Sequence, residues 1–276
     1  MASRFLRQLR RSRTTLFGMV VVVLMVLTAI LAPYIAPYDP DSIHSEAMLK
    51  APSSIHLLGT DDLGRDILSR MIFGARVSIM VGVVSIGIAI LLGVPLGLIS
   101  GFYGGLTDAI LMRIMDVLIT FPPLILALFI MAVLGPSFIN AMIAVGIVYT
   151  PNFARLVRAN VLQIREMSYV EAARSIGSTN TRIMFREILP NTVAPIIVQA
   201  SLGVAYAILV EASLSFLGMG VQPPTPSWGS MLSEGRLLLR SAPWCTTFPG
   251  VAIFLIVMGM NLLGDGLREV FDPRMR

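Results

Sequence analysis

The sequence predicts an all-α integral membrane protein with six transmembrane helices, and three observations predict it. Apolar residue types make up 55% of the 276 residues and charged types 13%, with a mean hydropathy of +0.81. A soluble domain carries roughly 25% charged residues, so too little charge is present to solvate a globule of this size. Long windows free of Asp, Glu, Lys and Arg recur along the chain, each near the length of about 20 residues that a spanning helix needs. Finally, arginine and lysine are distributed unequally between alternate loops.

The windows set the elements in order. Thr14 to Tyr38 is the first and contains the dense run Leu16 to Ala32. It is too long for a typical signal peptide and has no clear small-x-small cleavage site, so it is read as a span. Val77 to Thr107 is the second. Val117 to Ala154 is the third, broken by Gly135-Pro136-Ser137 and therefore read as two helices joined by a tight turn. The first of these two begins near Asp108, which places Arg113 and Asp116 three apart on one face, able to pair. Phe121-Pro122-Pro123 within it predicts a kink, because proline removes a donor and clashes with the preceding turn. Ile188 to Val210 and Ser241 to Gly264 complete six spans. Ala212 to Ser233 is also uncharged, but Gly218, Gly220, Pro223, Pro224, Pro226 and Gly229 punctuate it, so it is read as an ordered loop.

With the N-terminus inside, the inner flanks hold Arg4, Arg7, Arg10, Arg11, Arg13, Arg113, Arg155, Arg158, Arg165, Arg174, Arg182, Arg186, Arg268, Arg274 and Arg276. The outer flanks hold Lys50, Arg65, Arg70, Arg76, Arg236 and Arg240. Fifteen against six satisfies the positive-inside rule and puts both termini in the cytoplasm. The expected organisation is a cytoplasmic segment over 1–14, a first span over 15–36, an extracytoplasmic segment over 37–76 and a five-helix core over 77–267. Within that core lie an inner loop at 161–190 and an outer loop at 215–240, and 268–276 forms a cytoplasmic tail. The net charge of +5 follows from this topology, so it does not argue for nucleic acid.

Several chemistries are disfavoured. Cys245 is the sole cysteine, so no disulfide or cysteine metal cluster forms within the chain. Lys50 is the sole lysine and follows no glycine-rich run, so a GxxxxGK[ST] phosphate loop is absent and any ATP must be bound by another chain. His44 and His56 lie twelve apart in the outer segment without carboxylates at ligand spacing and are read as surface residues. Asp61 and Asp62 lack the alternating spacing of a calcium loop and are read as caps of the following helix. No catalytic residue and no metal site is assigned. An intramembrane protease would need a Ser-His or paired-Asp set, and an ion-coupled secondary transporter would need mid-span ionisable groups. Neither is present.

The inner loop from Val161 to Pro190 is the most informative stretch. Ser168-Tyr169-Val170-Glu171 has capping-box form, and Tyr169, Ala172, Ala173 and Ile176 recur at helical spacing as an apolar stripe. Gly177 is placed to end the helix in a left-handed conformation. Ser178 to Thr181 makes a turn, and Ile183, Met184 and Arg186 begin a second short helix before Pro190 opens the next span. Small Ala172, Ala173 and Gly177 favour close docking against a partner protein over burial in lipid.

Glu171-Ala172-Ala173, with Gly177 after three intervening residues and Ile188-Leu189-Pro190 beyond, resembles the EAA signature of permease subunits in ATP-binding-cassette importers. Further segments resemble the C-type permease of the dipeptide, oligopeptide and nickel branch: Leu58-Gly59-Thr60-Asp61-Asp62-Leu63-Gly64-Arg65-Asp66, Gly74-Ala75-Arg76-Val77-Ser78, Gln222-Pro223-Pro224-Thr225-Pro226-Ser227-Trp228-Gly229, Gly264-Asp265-Gly266-Leu267-Arg268 and Asp272-Pro273. One departure is Glu187, where the generic signature often has an apolar residue. The resemblance implies a type I importer permease fold in the bacterial inner membrane. It also implies a second homologous permease, two ATP-binding-cassette ATPase subunits that bind ATP and Mg, and an extracytoplasmic substrate-binding protein, with no cofactor in this chain. It casts Glu171, Ala172, Ala173, Gly177, Ile188, Leu189 and Pro190 as the ATPase-coupling set. Peptides are the implied cargo, with nickel chelates, glutathione and opine-like compounds as alternatives. Glu211, near the outer end of the fifth span, is read either as a pathway residue or as the structural partner of an arginine such as Arg76 or Arg240.

Overall fold

The computed structural model describes residues 12–271. Arg4, Arg7, Arg10, Arg11, Asp272, Pro273, Arg274 and Arg276 lie outside the described residues. The described chain is helical: α1 (Arg13–Ile35), α2 (Ile67–Tyr103), α3 (Gly105–Thr120), α4 (Pro123–Leu134), α5 (Phe138–Ile164), α6 (Ser168–Ser175), α7 (Asn180–Phe216), α8 (Trp228–Gly235) and α9 (Trp244–Phe271). Among the described residues extended pairing is limited to one isolated bridge, Thr60 with Asp66.

By length and apolarity α1, α2, α7 and α9 each suffice to cross a membrane, and the bent pair α3–α4 makes a fifth when its two helices count as one span. The sixth expected span falls on α5, which is uncharged from Phe138 to Ala154 but is not among the helices that suffice by length and apolarity. Its 27 residues reach about 40 Å at the α-helical rise. The break between α3 and α4 falls at Phe121-Pro122 and turns the chain by 96°, well beyond a kink. Two successive prolines remove two donors, so the helix cannot continue through them.

Helix α2 begins ten residues before its uncharged window. Its cap is Asp66, not Asp61 or Asp62: the Asp66 carboxylate accepts the Ser69 amide at 2.8 Å. Asp61 is engaged inside its own loop, accepting the amides of Leu63 and Arg65 at 3.0 and 2.8 Å. His56 is buried rather than on the surface and pairs with Asp66 at 3.0 Å, while His44 is exposed.

The closest helix pair is α2 with α5. Gly93, Gly97 and Gly101 recur every fourth residue along α2, and a Cβ on them would stand 2.7, 2.9 and 2.8 Å from the Cβ atoms of Phe153, Val157 and Val161. In lipid no hydrophobic force drives helices together, so such small-residue stripes allow the close backbone approach that packing requires. The same device joins α1 to α9, where a Cβ on Gly18 would meet Leu262 Cβ at 2.7 Å. One apolar core lies among α2, α4, α5, α7 and α9, and a second, smaller one lies at the end that carries α6.

At the opposite end, residues 36–66 and 217–243 fold over the helix ends as a cap. Trp228 donates its indole N–H to the Met71 carbonyl at 3.0 Å, and Trp244 donates to the Thr60 carbonyl at 3.0 Å. Part of the expected loop is therefore helical: α7 extends to Phe216, and α8 starts at the Ser227 cap.

Candidate functional site

The elbow between α5 and α7 is built on α6. Eight residues are too few for a stable isolated helix, so α6 must be held by packing. Val170 and Ala173 supply it, buried against Leu98, Phe102, Val157, Val161, Ile164, Ile183, Met184 and Ile188. Full burial of one such side chain contributes about 1.5–3 kcal/mol. The elbow is thereby fixed to α2, α5 and the start of α7.

The helix starts differently from the capping-box expectation. Met167 occupies the cap position and no side chain caps, because Ser168 is already helical. The predicted apolar stripe is split as well. Of its members only Ala173 faces inward, whereas Ala172 is exposed, Tyr169 is 42% exposed and Ile176 is 83% exposed. Met167 and Phe185 are also exposed. Gly177 has φ +81°, and the Ser178 amide closes back on the Ala173 carbonyl at 3.0 Å. That is the Schellman-type stop glycine permits. A Cβ at Gly177 would meet nothing within 4 Å.

The second short helix is not separate. Thr179 caps a helix that runs without interruption into α7, through a π-helical turn at Ile183–Ile188. Leu189 there bonds back five residues to Met184. Pro190 accounts for the wide turn, because it lacks an N–H and its ring would crowd the carbonyl four residues earlier.

The seven predicted coupling residues therefore divide. Glu171, Ala172, Gly177 and Pro190 are exposed, Leu189 is half-buried, and Ala173 and Ile188 are anchors in the second core. Around them Arg174 lies 5.6 Å from the Phe102 ring centroid, and Arg165 donates to the Gly101 carbonyl at 2.8 Å. The surface offered is apolar and basic at once.

Two polar contacts beside the elbow escape local sequence reading. Asp108 pairs bidentately with Arg158 and also accepts the Ser100 hydroxyl, pinning the α2–α3 turn to α5. Asp116 pairs with Arg155 on α5 at 2.5 Å, in place of Arg113 three residues away.

Glu211 sits near the cap end of α7 and is fully buried. It accepts the Ser215 hydroxyl at 2.7 Å, and Ser215 in turn accepts the Val221 amide at 3.1 Å. Its second oxygen makes no hydrogen bond of normal geometry, although Ser227 lies beside the carboxylate. Neither Arg76 nor Arg240 pairs with it, and both are exposed. An apolar cleft of about 510 Å³ between α4, α7, α8 and α9 is lined by Leu124, Leu209, Ala212, Ser213, Phe216, Leu217, Leu232, Gly250 and Ile253, with Glu211 turned away from it. In this state Glu211 holds the 217–229 loop and lines no open space.

Residues 93–276 match the family described as the binding-protein-dependent transport system inner membrane component, and residues 1–52 match the N-terminal transmembrane domain of oligopeptide transport permease C. The chain is 46% identical to a dipeptide transport system permease protein of Alkalihalophilus pseudofirmus, covering 98% of this chain and 89% of that one. It is 44% identical to a glutathione transport system permease protein of Pectobacterium atrosepticum, covering 99% and 90%. Among solved structures, an inward-facing methionine ABC transporter superposes with a TM-score of 0.61 at 18% identity, over 75% of this chain and 98% of that one. At that identity the likeness shows the fold, a type I importer permease.

Proposed function

The chain belongs to the family of binding-protein-dependent transport system inner membrane components, and from that premise we propose that it carries peptides inward, di- or oligopeptides foremost, as one of two permeases lining a shared pathway. Two separate ATPase subunits bind ATP and Mg and dock on the elbow, and an extracytoplasmic binding protein delivers cargo at the cap end. Both termini then face the cytoplasm. This chain couples and conducts, holds no cofactor of its own and catalyses no reaction. The dipeptide permeases among its relatives support the cargo class, and the glutathione permeases keep a γ-linked tripeptide as the second reading.

One observation carries the coupling role: α6 buries one face in a core shared with α2 and α5 while leaving Tyr169, Ala172 and Ile176 exposed. A helix bound only to lipid would sink its apolar face into the bilayer. A handle has to be rigid on its inner side and adhesive on its outer side. ATP-driven closure of the ATPases then moves α6, and the second core passes that motion to α2 and α5 as a rigid-body change. Reconstitution with the partner permease, ATPases and binding protein tests the reading. ATP-dependent uptake of a labelled dipeptide, competed poorly by glutathione, is expected. Uptake by this chain alone in vesicles without ATP contradicts it.

A further inference from the structure

The cap contains a buried four-charge cluster that the coupling mechanism does not use. Arg65 Nε meets Asp61 Oδ2 at 2.6 Å, Arg65 Nη2 meets Glu234 Oε2 at 2.9 Å, Arg70 Nη2 meets the same Oε2 at 3.0 Å, and Arg70 Nε lies 3.6 Å from Asp61 Oδ2. Arg70, Arg65 and Asp61 are each under a tenth exposed, and Glu234 is 30% exposed. Two cations thus face two anions, so the cluster is neutral only while both halves meet. One half, Asp61, Arg65 and Arg70, spans the segment before α2 and the first turn of α2, and the other, Glu234, belongs to α8.

We infer that this cluster is a permanent strap, which locks the 37–66 segment, α8 and the start of α9 into one rigid cap that stays closed through the transport cycle. The physical ground is asymmetry. Separating the halves leaves Asp61 alone to balance Arg65 and Arg70, so one buried positive charge is uncompensated, and Arg70 already carries one buried unpaired Nη1. Breaking a buried pair is far costlier than breaking a surface one. The two indole bonds, Trp228 to Met71 and Trp244 to Thr60, tie the same segments. No room remains for play: a Cβ on Gly59 or Gly74 would stand 2.9 Å from these indoles. Any opening at this end must therefore run between this cap and another subunit, not through it.

The inference uses the importer reading for its cycle, and its test separates the two. Asp62 and Leu238 line the same narrow cleft from opposite halves. In a Cys245→Ala background, Asp62→Cys and Leu238→Cys are spin-labelled in the full complex. A narrow distance distribution, the same without nucleotide and with ATP trapped, is expected, and Glu234→Gln with Arg65→Met should broaden it. A peak that shifts or splits on ATP trapping overturns the strap, as does a distribution equally narrow in the Glu234→Gln, Arg65→Met variant. Bridging the two cysteines with a short bis-thiosulfonate reagent should leave transport at the unbridged rate, and a block reversed by reductant overturns the inference. Failure of the importer reading shows separately, as absent ATP-driven uptake before any label is attached.

Discussion

Arg158 on α5 grips Asp108 on α3 through two hydrogen bonds of 2.5 and 2.6 Å, closing the Gly104-Gly105 turn onto the helix that leads into the elbow. The pair is partly buried, and charge-assisted hydrogen bonds contribute about 1.5–3 kcal/mol each when geometry is good. Arg158→Met is expected to lower stability by about 1–3 kcal/mol, read as an earlier thermal transition in detergent. Asp108→Arg with Arg158→Asp should recover part of the loss. Equal stability of Arg158→Met and the parent contradicts the pinning role.

The two faces of α6 should respond oppositely to charge. Ile176→Asp alters an exposed position, where substitutions usually change stability by about 0.5 kcal/mol or less, yet it should abolish co-purification of the ATPases. Val170→Asp puts an unpaired carboxylate into the second core and should prevent accumulation of folded protein. Pull-down yield and size-exclusion profiles distinguish these outcomes.

Gly177→Leu separates backbone from surface effects. With φ at +81° a leucine carries a left-handed penalty of about 1–2 kcal/mol, although nothing in the chain itself clashes. The membrane-spanning helices should insert normally while ATPase docking and substrate-stimulated hydrolysis fall. Normal hydrolysis and uptake in this variant count against the elbow as a docking surface.

The sequence makes the long apolar helices legible because charge is excluded from hydrocarbon, and it locates the elbow through a short motif. It does not reveal which face of α6 packs. Val170 and Ala173 form one apolar stripe and Tyr169, Ala172 and Ile176 another, and only the tertiary core on α2 and α5 selects between them. The same holds for ion pairs. Arg113 sits at helical spacing from Asp116, but Arg155, distant in sequence, takes the contact. Local signals also compete: Asp61 and Asp66 both suit a cap, and Asp61 is claimed by Arg65 inside the loop.

Gly97→Leu tests the α2–α5 seam. Its side chain would drive into Val157 and the backbone at Ala154, an overpacking that costs about 1–3 kcal/mol or more. Loss of folded protein in the membrane fraction is expected, whereas the open position Gly87 should accept leucine.

Glu211→Ala removes the acceptor that holds Ser215 beneath the 217–229 loop. Limited proteolysis should cut that loop faster in the variant, with uptake of different peptides changing in parallel. A loop as protected as in the parent, combined with a change confined to certain cargoes, returns Glu211 to the pathway.

The most direct measurement places a photo-crosslinking amino acid at Ile176 in the assembled complex, with Leu106 as a control at an exposed apolar position on α3. Irradiation should join Ile176 to an ATP-binding subunit, with a yield that changes when ATP is trapped, while Leu106 gives no such adduct. Adducts of Ile176 with lipid alone, in a complex that transports, contradict the account.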